Sequence, residues 1–138
     1  MKFYRLEDKK TKTGIYRSDI KPIENLIWEY YRDGGNHPGP TSDSLMQKEM
    51  EKLGWEEVDQ NYIFGFNTVE QYRAWFTQDG HLEVFLKNGT VLNCYETEDF
   101  LMGHAQMIAR KETLVFVEEV NIITAKGVNI AAEPASSV

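Results

Sequence analysis

Between residues 62 and 76 the chain changes its hydrophobic period once, and that change limits its architecture more than any other feature. Tyr62, Ile63, Phe64 and Phe66 form an aromatic, β-prone run. Thr68, followed three residues later by Gln71, is the reciprocal capping box that opens a helix. Val69, Tyr72, Trp75 and Phe76 then recur at helical spacing. A strand feeding straight into a helix is the local grammar, and it points to the α+β class.

The other segments carry the same mixture. Residues 3–6 and 15–16 are short β-prone runs separated by a polar turn ending in Gly14, which predicts a first hairpin. Pro22 suits a first helical turn, and Ile23, Leu26, Ile27 and Tyr30 share one helical face before Gly34 and Gly35 stop the pattern. Residues 34–40, GGNHPGP, break regular structure and predict a surface loop. Thr41, Ser42 or Asp43 can cap the next helix, whose apolar positions are Leu45, Met46, Met50 and Leu53, with Gly54 as its stop. Leu82, Phe85 and Leu86 follow helical spacing, with Asp79 as their cap, and a strand over residues 90–95 comes next. Residues 105–109 and 114–123 read as two further strands, joined by a tight polar turn and expected to pair antiparallel. The expected fold is a small split or antiparallel β-sheet with three to four short helices.

At 138 residues the chain is the length of one domain, able to hide roughly two-thirds of its unfolded surface. The boundaries read as 1–124 for that domain and 125–138 for a frayed tail of small and polar residues. No apolar run is long enough to cross a bilayer, no basic start followed by an apolar run marks a signal peptide, and the lone Cys94 cannot form an internal disulfide. These features predict a soluble cytoplasmic protein. Twenty-two acidic residues against 15 basic ones give a net charge of -7, the wrong sign for holding a phosphate backbone, so nucleic acid is not an expected partner. Lys9, Lys10, Lys12 and Arg17 cluster near the start, but Glu7, Asp8 and Asp19 interleave with them, which favours a solvated face over an anion patch.

Several chemistries lack their residues. His37, His81 and His104 stand at no metal-ligand spacing to one another or to Cys94, so no metal is expected. Cys94 lies within an apolar-polar alternation and reads as buried filler rather than a nucleophile. The chain contains neither a P-loop nor a nucleophile elbow. Its carboxylate pairs, such as Glu56 with Glu57 and Glu118 with Glu119, belong to solvated faces.

The order of elements resembles the ADP-ribosyltransferase-like fold over about residues 3–120. Phe3, Tyr4, Arg5 stand at the family's first strand; Gly14, Ile15, Tyr16 at its second; residues 64–68 at its middle strand and helix; and Gln106, Met107, Ile108 at its closing pair. The resemblance implies Arg5 and Tyr16 as the residues that hold NAD and Gln106 in the catalytic position. The family has a carboxylate there, which hydrogen-bonds the ribose and offsets its developing positive charge. A carboxamide does only the first, so the resemblance implies either slow cleavage or a scaffold kept without the chemistry. Arg5 also has a plain reading, as a strand residue paired with Glu7, Glu118 or Glu119.

A second resemblance concerns origin. YRLEDKKTKTGIY, HPGP followed by an acid, and YIFGFNTVEQYRAWF look like small proteins encoded by bacteriophages. That resemblance implies a protein in the host cytoplasm that binds and inhibits a host protein, for example a CRISPR effector, with no cofactor. Its partner-binding residues would be Trp28, Tyr31 and His37, since aromatic anchors dominate interface energetics.

Overall fold

A computed structural model describes residues 1–32 and 43–122. The elements in chain order are β1 (Lys2–Asp8), a 3-10 turn (Ile15–Arg17), α1 (Lys21–Arg32), α2 (Ser44–Lys52), β2 (Tyr62–Gly65), α3 (Val69–Trp75) and α4 (Asp79–Lys87). There follow β3 (Thr90–Glu96), β4 (Phe100–Met102), β5 (Met107–Arg110), a second 3-10 turn (Lys111–Thr113) and β6 (Val115–Val120). The strands form two antiparallel three-stranded sheets, ordered β1-β3-β6 and β2-β5-β4. This is the α+β class expected from the sequence.

Among the described residues one backbone bridge joins the two sheets. The Tyr4 amide donates to the Phe66 carbonyl at 2.6 Å, and the Phe66 amide donates back to Tyr4 at 2.8 Å. Close approach beside that bridge depends on Gly65, where a Cβ would stand 2.5 Å from the Phe3 ring. Phe3 thereby packs with Met107 and Ala109 between the sheets. The larger core lies under the helices: Leu6 and Leu92 meet Ile23, Leu26 and Ile27 of α1, Tyr72 and Trp75 of α3, and Leu82 and Phe85 of α4. A third cluster joins Met46 and Met50 of α2 to Leu101 and Ile108. The Tyr72 hydroxyl donates to the Ile122 carbonyl at 3.1 Å, which fastens the chain just beyond β6.

Helix starts follow the sequence signals with two changes. Asp43 caps α2 by accepting from the Leu45 and Met46 amides, and Thr68 caps α3 by accepting from Gln71. Gln71 closes its half of the box on the Asn67 amide, at 2.7 Å, instead of on Thr68. Gln78 is the cap position of α4, without a side-chain bond, and Asp79 lies in the first turn, where a carboxylate complements the helix dipole. Gly54 stops α2 in the left-handed region, at φ 74°.

Strand pairing departs from expectation in three places. The first hairpin keeps only its closing rung, with the Asp8 amide donating to the Thr13 carbonyl, because residues 15–17 coil into a 3-10 turn and β1 pairs with β3. The strands β5 and β6 do not pair with each other: β5 is central in one sheet, and β6 is an edge of the other. The intervening 3-10 turn sends β6 away from β5. Last, β4 was not expected; three residues are too few to show a period of two. The loop predicted at residues 34–40 and the tail predicted at 125–138 lie outside the described residues.

Candidate functional site

The two arms of the failed hairpin leave a cleft between them and β2. It measures about 720 Å³ and is bounded by residues 11–17 on one side and by residues 60–66 on the other. Its floor is aromatic because β2 turns Phe64 toward the helices and the chain at Tyr16 folds over it. Tyr16 meets Phe64 edge-on with ring centres 5.4 Å apart, and Phe64 meets Phe66 at 5.0 Å. The Tyr16 hydroxyl accepts from Trp75 Nε1 at 3.0 Å, which ties the floor to α3.

Arg5 forms part of the wall. The alternation of β1 sends Tyr4 and Leu6 into the helical core and Phe3, Arg5 and Glu7 to the opposite face. There Glu7, 2% exposed, receives three side-chain hydrogen bonds: from Arg5 Nε at 3.0 Å on one oxygen, and from Asn93 Nδ2 at 2.6 Å and the Tyr95 hydroxyl on the other. The pairing of Arg5 with Asn93 and of Phe3 with Tyr95 across the β1–β3 ladder places all four groups on one face. The Arg5 guanidinium lies over Gly14, where a Cβ would come within 2.7 Å of Nη2. Burial lowers its pKa from the ordinary arginine value, against the opposing pull of Glu7. Burial and then the Glu7 hydrogen bond push the Tyr95 phenol upward.

Arg5 and Tyr16 therefore line one cleft. Gln106 does not line it. Its side chain is 1% exposed and hydrogen-bonds the Asp43 carboxylate, which also accepts from the His104 and Ala105 amides. Trp28 is 56% exposed on α1. Tyr31 belongs to the same helix, but its side chain, like all of His37, lies outside the described residues. Cys94 is buried, and burial raises its thiol pKa. Sequence reasoning named Glu7 only among three possible partners of Arg5, and it missed Asn93 and Tyr95. The pairing of Arg5 with Glu7 was open to it as a plain strand contact, but nothing in the sequence announced that β3 would supply the other two donors.

These features define a small α+β protein with an aromatic-floored cleft of ligand size and a buried carboxylate that holds an arginine on its wall. The chain belongs to the bacteriophage T4 Y00F protein family, whose model matches residues 1–123. Comparison with curated proteins and with solved structures finds no match. Among the described residues no helix is long and apolar enough to cross a membrane.

Proposed function

We propose that this phage protein is a binding protein whose working site is the cleft between residues 11–17 and β2, and that a ring-bearing small molecule enters it. The observation that carries the reading is the cleft itself: its volume of about 720 Å³ falls within the range of small-molecule sites, and Tyr16, Phe64 and Phe66 give it an apolar floor beneath a polar rim. NAD, the ligand implied by the resemblance to ADP-ribosyltransferases, is the first molecule to test. The position of Gln106 outside the lining favours binding without transfer.

Calorimetry with NAD tests the reading directly. The expected result is a saturable heat that disappears in Gln60→Trp, a substitution at the exposed rim, with the melting temperature unchanged and the NAD recovered intact. Absence of heat with NAD and with simpler ring compounds such as adenosine would remove the reading.

A second reading, binding and inhibition of a host protein such as a CRISPR effector, draws support from the phage family and from two exposed apolar features, Trp28 and the β6 edge. Weakening of at least tenfold by Trp28→Ala or Phe116→Lys against a purified effector would favour it. Failure of the wild-type protein to bind would end it for that effector.

A further inference from the structure

Four cationic side chains, those of Arg5, Lys12, Arg17 and Lys111, line the cleft, and no Asp or Glu joins them in the lining. In a chain of net charge -7 that is a local reversal of sign. Arg5 is presented in a fixed pose. Glu7 occupies its Nε, Asn93 and Tyr95 hold Glu7, and no acceptor among the described residues takes Nη1 or Nη2. A guanidinium anchored by one edge offers the other as a fork for oxygen anions.

Lys12 adds an independent sign. Its φ is 64°, the only positive value among the described non-glycine residues, inside a turn fixed by Asp8. The Asp8 carboxylate accepts from the Lys10 and Thr11 amides, and its carbonyl accepts from Lys12. A left-handed conformation at a lysine is strained, and strain of this kind gathers at ligand sites. Glycine would relieve it; lysine keeps an ammonium at the cleft.

We propose that the Arg5 end of the cleft is an oxyanion subsite for a polyanion of the phosphate class, with Arg5 and Lys12 as its ligands and Glu7 as the residue that positions Arg5. Glu7 behind Arg5 offsets one positive charge, but Lys12, Arg17 and Lys111 add three more with no acid in the lining, which matches a group carrying more than one negative charge, such as a pyrophosphate. The inference rests on the cleft being a ligand site and specifies the chemistry of one end of it.

The test is calorimetry of the full chain with inorganic pyrophosphate, ADP and adenosine, in wild type, Arg5→Gln and Lys12→Gly. Pyrophosphate is expected to bind the wild type, at least fivefold more weakly to Lys12→Gly and at least tenfold more weakly to Arg5→Gln, with affinity falling as salt rises. Lys12→Gly keeps the outcome decisive, because relief of backbone strain leaves its melting temperature at or above that of the wild type; a loss of affinity there is not a loss of fold. Tighter binding of ADP than of pyrophosphate assigns the subsite to a phosphate ester, and equal binding assigns it to the free anion. Pyrophosphate affinity that is absent, or identical in all three proteins, overturns the subsite. Adenosine heat without pyrophosphate heat overturns it while sparing the cleft as a ring site, and silence from all three ligands removes both.

Discussion

Single residues decide how this fold is held at its polar points. Asp43 caps α2 and also accepts from the turn between β4 and β5. Burial opposes its ionisation, but the backbone N–H groups of His104, Met46 and Ala105 and the side chain of Gln106 outweigh that and hold its carboxyl below the ordinary aspartate value. A carboxyl with a depressed folded pKa contributes stability that is present above its unfolded pKa, about 4, and lost as pH falls through the folded value. Asp43→Asn keeps one capping oxygen but turns an NH2 toward the His104 and Ala105 amides, and is therefore expected to lower unfolding free energy by about 2 kcal/mol at neutral pH through buried donors left unpaired. It should also flatten the loss of stability on acidification below about pH 4, as read by urea titration across pH. Sequence reasoning reached Asp43 as one of three candidate caps and Gln106 as a candidate catalytic residue. It had no means of joining them, because 63 positions of chain do not reveal that the β4–β5 turn folds onto the start of α2.

The elements were more legible as units than as partners. All four helices stand where helical spacing placed them, because a periodic apolar face signals its own secondary structure. Strand partners are different, since alternation shows which face is buried and says nothing about the neighbour. That is why residues 3–6 and 15–16 read as a hairpin, although β1 pairs with a strand more than 80 positions away. It is also why β5 and β6, adjacent in sequence, belong to different sheets. Two substitutions follow at this scale. Gly65→Ala forces a methyl group against the Phe3 ring and is expected to destabilise by about 1–3 kcal/mol in chemical denaturation. Val117→Lys, on an edge strand whose Val115, Phe116 and Val117 are all exposed, is expected to change stability by less than about 0.5 kcal/mol. Light scattering at high concentration should nevertheless fall, because a charge blunts an open sheet edge.

For the whole molecule, the balance of charge was correct as a sum and uninformative as a map. Net acidity argued against holding a phosphate backbone, and interleaved acids read as a solvated face; neither could show that the fold brings Arg5, Lys12, Arg17 and Lys111 to the lining of one cleft. Ionisation at high pH is the matching global test. Burial, then interaction with Cys94, pushes the Tyr4 phenol up to about 12, and burial with the Asp99 hydrogen bond pushes Tyr62 up to about 12. A phenol whose folded pKa is raised contributes stability that is intact below its unfolded pKa, about 10, and lost as pH rises toward the folded value. The absorbance of ionised tyrosine should therefore appear late, and melting temperature should fall progressively above about pH 10.

The alternation along β1 has one further consequence. Tyr4 and Leu6 serve the helical core, while Arg5 and Glu7 serve the cleft wall. Sliding β1 by one residue along β3 would exchange the two sets, driving a guanidinium beneath the helices and expelling a leucine. A one-residue slip would therefore break the Arg5–Glu7–Asn93–Tyr95 set at once, so this buried carboxylate pins the register of the first strand against β3.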